Sequence, residues 1–263
     1  GHFGCPELGL TGAGISTLAS RLISAVGIML AFFTFKKFSD YRKGFATSRL
    51  TAQNMRHISS TSWPVALQMT LETGAFSIAA IMAGWLGKIP LASFQVMLIV
   101  GTLGFCVYYS LASSVSVLVS NAAGVNDNRA IRRISWAGYH ISLALATCSS
   151  LIFIFSGEIL IRAFTDDPAV IALSLTLITP LVLYQYGDAT QINFSNALRG
   201  TSNVMPMLWI AFVSYVVVGL PATYILAFIA DLGLYGIFLS FSVSLFLAAA
   251  LFIYHFLKTT QTK

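Results

Sequence analysis

Charged residues are scarce in this chain of 263 amino acids, because Asp, Glu, Lys and Arg together make up only 9% of it, against 57% hydrophobic residues. Soluble domains carry about 25% charged residues, so the composition excludes a water-facing globular protein. Only three cysteines are present, too few for the disulfide framework of a small secreted protein. Intrinsic disorder is also excluded, because so apolar a chain would collapse. The class that remains is a polytopic membrane protein.

A basic surface for nucleic acid is also missing. Lys and Arg total 15 against 9 Asp and Glu, but they lie in short loops between apolar segments and do not cluster on one water-facing surface. We therefore expect no nucleic-acid partner, and we expect the lipid bilayer to be the main surroundings of the chain.

Seven apolar segments are long enough to cross the hydrocarbon core, which takes roughly 20 helical residues. They lack the alternating ten-residue pattern of transmembrane strands, so they predict helices and not a β-barrel. The expected fold is an all-α polytopic membrane protein with seven transmembrane helices. The predicted spans are residues 10–35, 62–86, 91–119, 135–157, 167–196, 204–230 and 233–257.

Positive charge is distributed unevenly between the two sides of these spans. If the loop 36–60 is cytoplasmic, twelve Lys and Arg residues fall on that side and only Lys88 and Arg162 on the other. Positively charged loops remain in the cytoplasm, so we expect a multi-pass protein of the cell membrane with a cytoplasmic carboxy terminus. The twelve residues are Lys36, Lys37, Arg42, Lys43, Arg49, Arg56, Arg129, Arg132, Arg133, Arg199, Lys258 and Lys263.

A short repeat links the first and the last predicted helix, since residues 9–12 and 233–236 both read G-L-x-G. If the two helices are equivalent members of two repeats, one repeat has six helices and five helices precede Gly1. The absence of an initiating Met agrees with this interpretation. We therefore expect the carboxy-terminal part of a roughly twelve-helix protein built from two halves.

That plan divides the chain into four parts. Residues 1–35 are expected to be the last helix of an amino-terminal lobe, and residues 36–61 a cytoplasmic linker between lobes. Residues 62–257 are expected to form the six-helix carboxy-terminal lobe, followed by a cytoplasmic tail at 258–263.

Three charged residues lie well inside apolar spans: Arg21, Glu72 and Asp188. An ionised side chain at that depth costs about 2.5 to 3.5 kcal/mol on insertion scales, so it usually faces a cavity or a partner. Gln68 lies one turn before Glu72, and Tyr184 one turn before Asp188. Other interpretations stay open, because either carboxylate could join helices through hydrogen bonds and Arg21 could extend toward the lipid headgroups.

No arrangement of catalytic residues stands out. The four histidines lie mostly in loops or near the interface, and no His/Cys pair has the spacing of metal ligands. Ser and Cys side chains have no positioned base beside them. We therefore expect neither an enzyme nor a resident cofactor.

Three segments together resemble the multidrug and toxic compound extrusion (MATE) family, in particular its NorM-like branch. They read P-E-L-G-L-T-G-A-G-I-S-T at 6–17, W-P-V-A-L-Q-M-T-L-E at 63–72, and Y-Q-Y-G-D-A-T-Q at 184–191, the last followed by A-L-R-G at 197–200. The likeness covers essentially the whole chain and implies that it corresponds to the sixth through twelfth helices of that family.

The resemblance implies an antiporter that exports cationic lipophilic compounds in exchange for sodium ions or protons. It implies that Glu72 and Asp188 form the cation-coupling site, with sodium as a candidate metal ion, that Tyr184 lies beside them and that Gln68 lines the same cavity. One carboxylate can compensate the charge of the coupling ion or of the cationic substrate, but not of both at once. The two cations therefore compete for it, and this competition would produce exchange. The implied partners are small cationic molecules and the missing amino-terminal lobe of the same protein.

Two other classes stay open. Seven spans also suit a receptor or retinal-type protein, although the only late lysines, Lys258 and Lys263, follow the last predicted helix, where a Schiff-base lysine would lie. A flippase of related architecture is the other alternative. It would be expected to have basic residues along its cavity, whereas the candidate cavity residues here are mainly acidic.

Overall fold

A computed structural model describes residues 8–47 and 51–261, and these residues form helices and turns with no β-strand among them. Two residues that entered the charge analysis, Arg49 and Lys263, lie outside the described residues. The helices are α1 (Gly9–Thr34), α2 (Ser39–Thr47), α3 (Ala52–Trp85), α4 (Lys88–Gly124), α5 (Asn128–Arg162), α6 (Pro168–Thr176), α7 (Ile178–Gly200), α8 (Met205–Ala211), α9 (Leu220–Tyr224) and α10 (Gly233–Gln261).

The all-α membrane fold predicted from the sequence is confirmed. Within the described part of the chain, six helices are long and apolar enough to cross a membrane, and the bent pair of α6 and α7 gives a seventh span when it is counted as one. The helices extend beyond the predicted spans at several ends; α3, for example, begins at Ala52 and not at residue 62. The reason is that hydropathy reports only the part of a helix inside the hydrocarbon.

The fifth predicted span is broken by a 50° bend between α6 and α7. The Asp167 side chain caps the start of α6 by accepting a hydrogen bond from the backbone N–H of Ala169 at 2.9 Å, and Pro168 follows in the first turn. Pro180 lies in the first turn of α7 and has no backbone N–H to continue the helix from α6. The chain therefore restarts a helix with a new axis at Ile178.

The chain divides into two compact units, residues 1–57 and 58–263. The finer division into four parts stays a prediction. In the first unit the Arg42 guanidinium closes the end of α1, where helix carbonyls lack partners. Its Nη1 donates hydrogen bonds to the carbonyl oxygens of Phe32, Phe33 and Phe35 at 2.7, 2.9 and 3.0 Å.

Helix α7 is the central helix of the second unit, because nearly every side chain from Tyr184 to Leu198 is buried. It packs against α4, α5 and α10. Two glycines on neighbouring helices allow close approach to its polar side chains. A Cβ at Gly104 would come within 2.8 Å of Gln185 Oε1, and one at Gly138 within 2.8 Å of Asn193 Oδ1.

Helix α3 joins this bundle through its second half. The Phe76 ring packs on Phe241 of α10 with centroids 4.6 Å apart, and Ala79, Met82 and Ala83 are buried in the same apolar cluster. Earlier in the helix most side chains are exposed, but Gln68 is buried. The helix therefore brings Gln68 and Glu72 to the side of the bundle where α7 carries its polar residues.

The sixth span, Met205–Ile229, contains two π-helical segments, Phe212–Gly219 and Ile225–Ile229. Such segments are rare and are frequently found at functional sites. Helix α10 packs against both of them. The first of these segments carries Tyr215, which lies near Glu72 and is therefore part of the site.

Candidate functional site

Asp188 lies near the middle of α7 and is only 3% exposed. The hydroxyl of Tyr108, on α4, donates a hydrogen bond to Asp188 Oδ2 at 2.5 Å. The Tyr184 hydroxyl, one turn earlier on α7, also lies within interaction range of this carboxylate. Two tyrosines from different helices thus surround Asp188, and hydrogen bonds to an ionised carboxylate are among the stronger ones in proteins.

Glu72 approaches the same region from α3. Its carboxylate lies close enough to Asp188 for the two charges to interact, and it also lies beside the Tyr215 hydroxyl. Two neighbouring carboxylates repel each other when both are ionised. The free energy of the pair therefore favours a proton or a bound cation in this region.

A cavity of about 220 Å³ adjoins Glu72. Its wall is made by α3, α4 and α7 and combines amide, hydroxyl, aromatic and charged side chains. These include Gln68, Glu72, Phe105, Tyr109, Gln191, Ser195 and Arg199.

Three buried polar atoms in this wall have no hydrogen-bond partner among the described residues. Among the described residues, Gln68 Oε1, Gln191 Oε1 and Arg199 Nε are buried and accept or donate no hydrogen bond. Buried polar groups are normally paired, and leaving one unpaired costs about 1 to 3 kcal/mol. The cavity wall is therefore suited to a polar or charged guest.

The structure brings the four predicted site residues into one region, but only two of them line the cavity. Gln68 and Glu72 line the cavity. Asp188 and Tyr184 lie deeper, because α4 packs against this part of α7 through Tyr108 and Gly101. Glu72 therefore lies at the cavity surface and Asp188 behind it, and the assignment of all four residues to one cation-coupling site stays a prediction.

Three site residues were missed by the sequence analysis: Tyr108, Tyr215 and Arg199. The two tyrosines lie in apolar runs without any nearby charge, so no sequence signal distinguishes them from packing residues. Arg199 was assigned to a cytoplasmic loop, but it lies in the last turn of α7 and lines the cavity. A signal for it existed, because positions 191, 195 and 199 share one helix face.

The atoms at the site that could act as ligands to a cation are oxygens of carboxylates, hydroxyls and amides. Among the described residues there is no group of three or more His, Cys, Asp or Glu side chains that could hold a metal ion. Hard cations bind oxygen ligands, and the Glu72–Asp188 pair with its neighbouring hydroxyls is such a donor set. The residues present therefore fit sodium or a proton.

Arg21, the third charged residue found within the predicted spans, lies on α1 in the first unit. It lines a shallow surface pocket together with Ser16, Thr17, Ser20 and Ser24, which form one polar face of the helix.

Residues 64–225 match the MatE family. Among curated relatives, the probable multidrug resistance protein NorM of Bradyrhizobium diazoefficiens is 30% identical over 260 residues, which is 97% of this chain and 56% of the relative. The protein of the same name from Xylella fastidiosa (strain Temecula1) is 27% identical over 252 residues, covering 95% and 54%. The chain thus spans about half the length of the curated relatives it matches.

Solved structures of low sequence identity share the fold. The eukaryotic MATE transporter AtDTX14 superimposes with a TM-score of 0.84 at 18% identity, over 97% of this chain and 58% of that one. The Vibrio cholerae MATE transporter VcmN in its bent form gives 0.72 at 15% identity, over 79% and 47%. The family match over most of the chain and the shared fold lead to one conclusion: this chain belongs to the MATE family.

Proposed function

We propose that this chain supplies the carboxy-terminal lobe of a cation-coupled exporter of cationic lipophilic compounds. Membership of the MATE family supports transport and not catalysis, and the two NorM relatives carry the name of probable multidrug resistance proteins. One observation supports coupling of transport to a cation: Glu72 and Asp188 lie within interaction range of each other beside a cavity. The coupling ion is sodium or a proton, and the proposal includes no cofactor.

The different depths of the two carboxylates give each a role in exchange. Asp188 is buried and bonded to Tyr108, so it contributes to holding the small coupling ion. Glu72 faces both Asp188 and the cavity, so it is the carboxylate that an organic cation reaches. Binding of either cation then weakens binding of the other, and this coupling is reciprocal.

Aromatic rings in the cavity wall support a lipophilic substrate. Phe105 and Tyr109 stack on each other with centroids 5.1 Å apart, and both line the cavity beside Phe76. Aromatic faces attract organic cations, most strongly where water is excluded. A flat cation with apolar substituents therefore suits the wall next to Glu72.

Transport needs a second lobe in this proposal. In two-lobed transporters one bundle moves against the other around a site near the middle of the membrane. The chain spans about half the length of its curated relatives. We therefore propose that residues 58–263 form one side of the transport path and that an amino-terminal lobe forms the other.

The test is ion-driven efflux by a complete transporter, made by joining this chain to the amino-terminal half of the Bradyrhizobium relative. Glu72→Gln and Asp188→Asn should each abolish efflux of ethidium driven by a sodium or proton gradient, with near-normal amounts of protein in the membrane. Glu158→Gln is the matched control, because Glu158 is exposed and paired with Arg162 at 2.8 Å. Gradient-driven efflux that persists in both site variants would refute the proposed coupling.

A flippase of related architecture is the second candidate, and one observation favours it: the cation Arg199 lines the cavity. Arg199 would then hold the anionic headgroup of a lipid-linked substrate. Ethidium efflux together with no translocation of a fluorescent anionic lipid would support the exporter. The opposite pair of results would support the flippase.

A further inference from the structure

Tyr215 has a buried hydroxyl that is not explained by its packing. The residue is 3% exposed, and its hydroxyl has no partner at full hydrogen-bonding geometry among the described residues. Buried hydroxyls in native proteins are normally paired with protein or water. An unpaired one next to a functional site therefore calls for a partner within the site.

The surroundings of the hydroxyl identify that partner. It lies beside the Glu72 carboxylate and within interaction range of Asp188 and Tyr184. The Tyr215 ring lines a narrow space together with Phe76, Phe241 and other side chains, and the volume of this space is only about 10 Å³. The ring is therefore confined by packing, and its hydroxyl is held near Glu72.

The π-helical segment Phe212–Gly219 holds Tyr215 in position through its packing on α10. It packs tightly on α10, since a Cβ at Gly219 would come within 2.8 Å of Ser244 Oγ. A π-helical turn contains an extra residue compared with an α-helical turn, so it changes the direction in which the side chains of this span project. The segment thus contacts α10 while Tyr215 reaches toward α3.

We propose that Tyr215 is a positioning residue for Glu72, in the way that Tyr108 is for Asp188. Its hydroxyl donates a hydrogen bond to one oxygen of the Glu72 carboxyl group. Each carboxylate of the pair then has a tyrosine donor from a different helix. A carboxylate has two oxygens and about four lone-pair sites, so the second oxygen of Glu72 stays available for the coupling cation or the substrate. This inference rests on the proposed function of the pair.

The experiment is infrared spectroscopy of the whole chain in lipid nanodiscs, at a pH low enough to protonate Glu72. The carboxyl C=O band that disappears in Glu72→Gln is assigned to Glu72. Tyr215→Phe removes the hydrogen-bond donor and should raise the frequency of that band. Tyr224→Phe is the matched control, because Tyr224 lies on the same span and is 47% exposed, and it should leave the band unchanged.

A second variant keeps the test decisive if Tyr215→Phe folds poorly. Incorporating 3-fluorotyrosine at position 215 keeps the shape of the side chain but makes its hydroxyl a stronger donor, so the band should shift to lower frequency. An unchanged Glu72 band in both variants would overturn the inference even if Glu72→Gln abolishes efflux. Conversely, gradient-driven efflux by Glu72→Gln would overturn the proposed function, whatever the band does in the Tyr215 variants.

Discussion

At the scale of single residues, the site combines two carboxylates at different depths with hydroxyl donors from neighbouring helices. The hydrogen bond from Tyr108 to Asp188 is the best defined of these contacts, and both residues are almost completely buried. It restricts the orientation of a carboxylate that is far from water. The cost of burying Asp188 is thereby reduced, because its charged form has a hydrogen-bond partner.

Tyr108→Phe should therefore destabilise the chain by about 1.5 to 3 kcal/mol, the usual contribution of a hydrogen bond to a charged group. The measurement is the free energy of unfolding in mixed micelles with increasing SDS. Tyr254→Phe on α10, where the side chain is 65% exposed, should change the free energy little. Equal losses in the two variants would contradict a specific role for Tyr108.

Arg199 is the only cationic side chain among the residues that line the cavity in the described structure. Its positive charge repels an organic cation in the same cavity, by an amount on the order of 1 kcal/mol for partly screened charges. Arg199→Gln should thus tighten binding of tetraphenylphosphonium roughly fivefold, measured on the complete transporter.

The matched control is Arg162→Gln, because Arg162 is exposed at the end of α5 and paired with Glu158. This variant should leave the affinity for tetraphenylphosphonium unchanged. Weaker binding in Arg199→Gln would instead assign Arg199 a structural role in the cavity wall.

The sequence identified part of the site because of one physical fact: a charge in an apolar span is costly and therefore conspicuous. Glu72 and Asp188 stand out for this reason, and Gln68 and Tyr184 follow from helical spacing. Tyr108 and Tyr215 could not be found in this way, since a tyrosine in an apolar helix is common. Their roles depend on which helix faces which, and helical periodicity within one span does not contain that information.

At the scale of helices, hydropathy was sufficient to locate the seven spans of residues 8–47 and 51–261, with the bent pair of α6 and α7 counted as one, but not their irregularities. The bend before Ile178 and the two π-helical segments depend on local backbone hydrogen bonds and on packing against α10, which hydropathy does not measure. The irregular sixth span nevertheless packs closely against α10. Gly236 of α10 faces it so tightly that a Cβ would come within 2.5 Å of the Leu226 carbonyl oxygen.

Gly236→Ala should therefore destabilise the second unit, because the nearest atoms belong to backbone and cannot move aside as a side chain can. Overpacking of this kind typically costs about 1 to 3 kcal/mol. The control is Gly74→Ala on α3, where no atom lies within 4 Å of the added Cβ. Unfolding of both variants in SDS checks the prediction, and equal stability of the two would contradict the tight contact.

At the scale of the whole molecule, the distribution of positive loops predicts the orientation in the membrane. If the turn between α4 and α5, just before Arg129, lies inside and the turn between α5 and α6, which contains Asp166, lies outside, a cysteine at position 166 should react with an impermeant maleimide added to intact cells. A cysteine at position 129 should react only after the cells are opened. Both positions are exposed in the structure, and the background is a chain whose own cysteines are replaced by serine. The reverse labelling pattern would show that the orientation is inverted.

In the proposed exchange, the coupling ion and the organic cation compete for Glu72 in the complete transporter. Because that carboxylate faces both Asp188 and the cavity, sodium or a proton at the pair should lower the affinity for an organic cation. Both carboxylates lie in residues 58–263, so substitutions in this chain are enough to test the competition.

The most direct measurement is therefore the binding of radiolabelled tetraphenylphosphonium to the complete transporter in proteoliposomes. Sodium chloride, compared with choline chloride, or a lower pH should displace the ligand from the unmodified protein. In Glu72→Gln the ligand should bind weakly, and neither cation should change its binding. Binding by Glu72→Gln with the affinity and the cation sensitivity of the unmodified protein would contradict the account.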